Sequence, residues 1–278
     1  MAKTKTENEV AVKESHAVAT VDASMFADDA GAGMEGAGAD SFAIPFLSVL
    51  QKGSPQVDEA SGAAIEGAKA GMFFENVTGS MTDGKKGVRI VPCAYRRVFL
   101  RWAPKGTTTG GFKGELMPEK VAEMRAKGEI VELEGRLYIP KEDGSVSEKT
   151  CDRISDTRNH YILVVDEETG SWKEALLSLT STQIKKSKML MSALASVKVS
   201  GPNGLFTPPT FANFVHVTTV PESNDQGTWF GVKFELAGQV DRAEVYAAAK
   251  AFHASVAKGG VVAKYESADE APQQAAGF

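Results

Sequence analysis

Basic side chains are concentrated in the stretch from residue 85 to residue 113 and alternate with aromatic ones at its centre. The stretch carries eight bases and no acid, although the whole chain of 278 residues has a formal net charge of -5. A basic block inside an acidic chain is a local electrostatic feature that attracts anions. The centre of the block reads YRRVFLRW, from Tyr95 to Trp102.

A strand over 88–102 would give this block two different faces, because successive side chains of a strand point to opposite sides. One face would carry Tyr95, Arg97, Phe99 and Arg101. The other is apolar apart from Arg96 and would pack on the core. Bases stack on aromatic rings while cations neutralise phosphates, so the first face favours a groove for single-stranded nucleic acid. The alternative is a half-exposed strand whose arginine stems lie along the sheet.

Further candidates lie outside this strand. Three lysines occupy the first turns of a predicted helix over 181–198, where cations oppose the positive end of the helix and indicate a use for an anion. A solvated helix end, and aromatic rings that simply pack in the core, are the alternatives. The predicted nucleic-acid-binding set is Tyr95, Arg96, Arg97, Phe99, Arg101, Lys105, Phe112, Lys113, Lys185, Lys186, Lys188 and Trp229.

Enzyme chemistry has little support in the sequence. None of the four histidines has metal-ligand spacing to another histidine or a cysteine. The glycine-rich loop over 106–114 lacks the Lys-Ser/Thr ending of a phosphate-binding loop. Two cysteines are too few for a disulfide framework and indicate a reducing, cytoplasmic compartment. We therefore expect a protein without enzymatic activity, metal or cofactor.

The elements that must position these residues follow a recognisable order. Strands are predicted over 88–102, 160–165 and 172–179, then a helix over 181–198, then strands over 211–220 and 228–237. Three strands, a helix and two strands is the order of the OB-fold, a five-stranded partly open barrel. The predicted fold class is therefore α+β, mainly β: an OB-fold-like barrel with an inserted hairpin and helix and an extra C-terminal helix that begins at Asp241.

The ends of the chain differ from its middle. Residues 1–40 are poor in large apolar side chains and are expected to form a disordered arm. A single OB-like domain is predicted over 41–264, with the insertion at about 115–150, and residues 265–278 form an acidic tail. Pro45 favours a short helical turn over 46–51, which would dock the arm on the core.

The element order, the strand YRRVFLRW and the tail together resemble bacteriophage single-stranded DNA-binding proteins of the OB-fold type. Bacterial and phage members of that class carry acidic tails that end in phenylalanine, bind replication partners and compete with DNA for the basic groove. The resemblance implies the same role for a partner-binding tail formed by Glu266, Asp269, Glu270 and Phe278. The acids of this tail are few and do not adjoin Phe278, which departs from the pattern of the class.

Three functions remain open from the sequence. The first is sequence-tolerant binding of single-stranded DNA in phage DNA replication or recombination, with tail-bound replication or recombination proteins as further partners. The second is a structural or assembly protein of the phage particle, and the third is a strand-annealing recombination protein or a nucleic-acid enzyme. Homo-oligomers are compatible with each of them. No apolar run approaches the roughly 20 residues that span a bilayer, so we expect no membrane partner.

Overall fold

The computed structural model contains two compact units, one within residues 1–38 and one within residues 39–278. The described residues of the second unit are 42–104, 111–225, 227–261, 263 and 265. In the first unit, positions 26, 29 and 32–37 are described. Most of the predicted N-terminal arm therefore lies outside the described residues.

The second unit has an α+β structure that is mainly β, as predicted, with thirteen strands and three helices among its described residues. The strands are β1 Leu47–Val49, β2 Phe73–Glu75, β3 Met81–Thr82, β4 Val88–Trp102, β5 Phe112–Leu116, β6 Val131–Leu133, β7 Arg136–Ile139, β8 Asp152–Val165, β9 Trp172–Thr180, β10 Val199–Gly201, β11 Gly204–Phe206, β12 Asn213–Asn224 and β13 Gly227–Gln239. The helices are α1 Pro118–Ala126, α2 Ile184–Ser196 and α3 Ala243–Ala257.

The main sheet has eight strands with β4 and β8 at its centre. Its order is β13-β12-β4-β8-β7-β6, while β5 pairs with β4 and β9 pairs with β8. The predicted bounds of β4 are confirmed. The strand β8 begins at Asp152, eight residues before the predicted start at His160.

A β-bulge divides β4 into two parts. The register with β8 shifts between Pro92 and Ala94, so the alternation of faces changes phase there. Ile90 before the bulge therefore packs with Ile162 and the α2 residues Leu190 and Leu194. The predicted apolar face is correct from residue 94 to residue 102, but Ile90 lies on the opposite side of the sheet from Val98.

Each side of the sheet is covered by one helix. The helix α3 packs with Val98, Leu100 and Trp102 through a cluster that includes Phe252. The helix α2 covers the opposite side. After the bulge, the residues that alternate with Val98, Leu100 and Trp102 point to the α2 side. They are Tyr95, Arg97, Phe99 and Arg101.

Five of the strands have the antiparallel order β9-β8-β4-β12-β13. A closed barrel would require the outer strands β9 and β13 to pair, and among the described residues they do not. The OB-fold is therefore not confirmed. The segment that contains β1 lies at this opening: Phe46 bridges Leu176 of β9, and the Gln51 side chain bonds to the backbone of Phe230 on β13. The predicted helical turn over 46–51 is wrong, because this segment is extended and pairs with β2.

The strands β6 and β7 and the helix α1 build a subdomain beside the α2 side of the sheet. Phe99, Ile154, Val121 of α1 and Ile130 form its small apolar cluster. The strand β7 pairs with residues 152–154 of β8, and β9 pairs with residues 157–165. The sheet edge along β8 is therefore open between these two partners, near Ser155 and Asp156.

Candidate nucleic-acid interface

The exposed face of β4 carries an ordered network of charges. The Arg97 guanidinium donates to both carboxylate oxygens of Asp156, with Nε–Oδ1 at 3.2 Å and Nη2–Oδ2 at 2.8 Å. Arg158 donates to the same carboxylate at 3.0 Å and to the Tyr95 hydroxyl at 2.9 Å. These contacts fix the orientation of Tyr95 and Arg97 on the strand.

A second acid, Asp152, pairs with the cations at the other end of this face. Arg101 Nε lies 2.6 Å from one oxygen of Asp152, and Lys113 Nζ lies 2.9 Å from the other. Asp152 is nearly buried, while Arg101 and Lys113 are about two-fifths exposed. Both cations therefore pair with the same nearly buried carboxylate, which compensates part of the cost of its burial.

The predicted strand is basic by itself, but its neighbour β8 supplies Asp152 and Asp156 to the same face. The strand predicted from the sequence began at His160 and therefore left Asp156 outside it. The pairing of Phe99 with Asp156 places that carboxylate within β8, on the same face of the sheet as Phe99. The cations of β4 are thus partly neutralised within the fold.

The predicted stacking residues occupy different environments. Tyr95 is 36% exposed and Phe99 is 6% exposed. The Arg97 guanidinium lies 5.0 Å from the centre of the Phe99 ring, so a base could not stack there without displacing it. Phe112 packs at 5.6 Å from Trp102 and therefore belongs to the α3 side of the sheet.

Arg96 also lies apart from this face. Its guanidinium donates to the backbone carbonyl of Val256 in the last turn of α3 and lies 5.8 Å from the centre of the Tyr161 ring. A cation at that position complements the negative end of the helix. The placement favours a structural role for Arg96.

The predicted cations of α2 form another separate group. Lys186 pairs with Glu222 at 2.7 Å, and the Trp229 indole donates to the same carboxylate at 2.9 Å. Lys185 and Lys188 are exposed. Among the residues predicted as DNA ligands, Lys105 lies outside the described residues, as do the tail residues Glu266, Asp269, Glu270 and Phe278.

Four arginines, only one of them predicted, line a groove of about 360 Å³ at the open edge of β8. They come from four elements: Arg97 from β4, Arg125 from α1, Arg136 from β7 and Arg153 from β8. Two carboxylates, Glu132 and Asp156, also line the groove. The arginines therefore outnumber the acids two to one on the groove wall.

The arginines of this groove influence one another. Burial lowers the pKa of Arg153, and the positive charge of Arg136 lowers that pKa further. An anion bound near both groups would relieve this repulsion. Arg125 and Glu132 are each about half exposed, with Nη2–Oε2 at 3.2 Å. Exposed pairs of this kind contribute about 0–1 kcal/mol, so a phosphate can compete for the arginine.

In the described part of the chain, no group of three or more histidine, cysteine, aspartate and glutamate side chains could hold a metal ion. None of the helices described is long and apolar enough to cross a membrane.

The fold and the groove define an α+β, mainly β protein with an arginine-rich concave surface at a sheet edge. The chain belongs to the Pam3 phage gp34-like protein family, whose model matches residues 12–262. It is therefore a bacteriophage protein, as its resemblance to phage proteins implied. No curated protein and no solved structure matches it.

Proposed function

We propose that this phage protein binds single-stranded DNA through the groove formed by Arg97, Arg125, Arg136 and Arg153. The observation that carries the proposal is that arginines from four separate elements line one concave surface. Guanidinium groups suit phosphate oxygens because they offer several donors in a fixed plane.

Several features of the groove favour a single strand over a duplex. Its volume of about 360 Å³ is small, and it lies at a sheet edge between α1, the β6–β7 hairpin and the start of α2. The exposed ring of Tyr95 lies on the same face of β4 as Arg97, where a base leaving the groove could stack. Cations that follow a backbone and aromatic rings that receive bases are the parts of a sequence-tolerant single-strand site.

The proposal is tested by fluorescence anisotropy with a labelled oligonucleotide, single-stranded and as a duplex, over a range of salt concentrations. We expect salt-sensitive binding that prefers the single strand. The variant Arg125→Ala should weaken binding about tenfold and reduce the salt slope by about 0.7, the value for one phosphate contact to a single strand.

The same helix offers a matched control. Lys120 of α1 also forms an exposed pair with a glutamate, Glu123, at 3.2 Å, but it does not line the groove. Lys120→Ala removes the same charge and should leave affinity and salt slope unchanged. Absence of binding at low salt, or equal losses in the two variants, would overturn the proposal.

A second candidate is a role in assembly of the phage particle. The hairpin of β10 and β11 carries Leu205 and Phe206 at 74% and 49% exposure. Exposed apolar side chains that lie next to each other are a feature of protein interaction surfaces. Presence of the protein in purified particles, with loss of incorporation in a Leu205→Ser/Phe206→Ser variant, would support this function in place of DNA binding.

A further inference from the structure

A second cavity, of about 220 Å³, lies between the β1 segment and the facing ends of β9 and β13. It lies at the opening where the outer strands β9 and β13 do not pair within the described part of the chain. Among the described residues that line it, no side chain carries a charge. The lining combines the aromatic rings of Phe46, Phe74 and Phe230 with amide and hydroxyl side chains. Such a wall excludes ions and suits a neutral, planar, hydrogen-bonding group.

The cavity directly adjoins the arginine groove. Leu179 and Gln183 line the cavity, whereas Ser181 and Ile184 line the groove, so one short turn after β9 separates the two spaces. Ser181 has φ of 50°, a left-handed backbone conformation that costs energy for a residue other than glycine. Strained residues of this kind concentrate at binding sites.

An extended peptide is a poor occupant, because the edge of β13 is already satisfied. The Gln51 amide donates to the Phe230 carbonyl at 2.9 Å and accepts from the Phe230 amide at 2.8 Å. Gln183 Oε1 accepts from the Val232 amide at 3.0 Å. The backbone groups that a new strand would need on this side are therefore taken by two side chains.

Hydrogen-bonding capacity for a small ligand nevertheless remains in the wall. Asn76 accepts the Phe46 amide on its Oδ1 at 2.7 Å, which leaves its Nδ2 protons for other acceptors. Leu176 donates its amide outward to Pro45, so the backbone of Ser178, two residues along β9, faces the same side. Donors and acceptors of this kind can pair with the edge of a heterocyclic base.

We infer that this cavity receives one nucleobase, turned out of the strand whose phosphates lie in the arginine groove. The inference rests on the proposed DNA binding and adds a specific base site to it. The cavity is smaller than the roughly 300–1,000 Å³ of drug-sized ligand sites, which limits it to about one ring system. The uncharged cavity would hold the base, and the arginine groove on the other side of the turn at residues 181–183 would hold the phosphates.

The first test of the inference uses nucleosides, which carry no phosphate group. Saturation-transfer NMR with deoxyadenosine, deoxycytidine, deoxyguanosine and thymidine should detect binding of at least one nucleoside to the full chain. Gln56→Trp, which places an indole at the cavity wall, should abolish that signal. Gln239→Trp at the exposed end of β13, outside the cavity, is the matched control and should keep it. Arg125→Ala should also keep it, because that residue lines only the groove.

A second measurement compares two oligonucleotides, first on the unmodified protein, where the result does not depend on the folding of a variant, and then on Gln56→Trp. An oligonucleotide in which abasic sites replace all bases should bind more weakly than the intact strand, and Gln56→Trp should remove part of that difference. Loss of one stacked base corresponds to about 5- to 150-fold in affinity. Failure of every nucleoside to bind, or a signal that survives Gln56→Trp, overturns the base site.

The outcomes separate this inference from the function on which it rests. Nucleoside binding without oligonucleotide binding would uphold the base cavity and reject the DNA-binding proposal. Oligonucleotide binding that depends on Arg125, with no nucleoside signal and no effect of Gln56→Trp, would uphold DNA binding and reject the base cavity.

Discussion

At the scale of single residues, His160 connects Tyr95 of β4 to α2, which lies on the same side of the sheet. It is 1% exposed, its ring centre lies 5.2 Å from that of Tyr95, and its Nε2 lies 2.8 Å from the Ser187 hydroxyl oxygen. Burial, and then the charge of Arg158, lower the pKa of His160 to about 4. The imidazole is therefore neutral in the folded protein at neutral pH.

This pKa gives a stability prediction with a defined sign. The ordinary pKa of 6.5 applies to the unfolded chain, so between pH 6.5 and about pH 4 the unfolded state binds a proton that the folded state does not. His160 should thus lower the free energy of unfolding by about 3 kcal/mol over this window as pH falls. In urea titrations, His160→Gln should lose stability less steeply than wild type between pH 7 and pH 4.5. Parallel pH profiles would contradict the assigned pKa.

Single residues also show what local sequence could predict. The alternation in YRRVFLRW correctly placed Tyr95, Arg97, Phe99 and Arg101 on one face, because strand periodicity is a local property. It could not show that Phe99 is buried, because the burial comes from α1 and its loop, which lie some twenty residues further along the chain. The exposure of a side chain depends on elements that are far away in the sequence, and strand periodicity contains no information about them.

At the scale of elements, the strand β8 explains most of the difference between expectation and structure. Its first half reads DRISDTRN and has few residues with high strand propensity, so it resembles a polar loop. Pairing with β4 and β7 overrides that weak preference. The alternating Asp152, Ile154, Asp156 and Arg158 were the available signal for a charged strand face.

A variant of Arg96 can test whether the α3 face of β4 is structural while the opposite face binds DNA. The contact of Arg96 with the Val256 carbonyl at the end of α3 predicts that Arg96→Leu lowers the free energy of unfolding by about 1 kcal/mol. The same variant should leave oligonucleotide affinity unchanged, because Arg96 lies on the side opposite the groove. Lys250→Leu, at an exposed position of α3, is the control for loss of a charge and should not change stability. A selective loss of DNA affinity in Arg96→Leu would contradict this division of the strand.

At the scale of the whole molecule, the groove depends on residues that are far apart in the sequence. Arg97, Arg125, Arg136 and Arg153 span 57 positions and share no motif. All four line the groove because β7 and β9 pair with the same side of β8 and leave its edge open between them. The α+β, mainly β class followed from local patterns, whereas the groove depends on the pairing of β7 with β8, which the hairpin sequence alone does not specify.

Photocrosslinking would show whether single-stranded DNA lies in the arginine groove. An oligonucleotide with photoreactive pyrimidines would be irradiated with the full chain, and the crosslinked peptides identified by mass spectrometry. We expect crosslinks within residues 125–137 and 181–184, because residues of both ranges line the groove. Crosslinks confined to the hairpin at residues 199–206 or to the α3 side of the sheet would contradict this placement of the DNA.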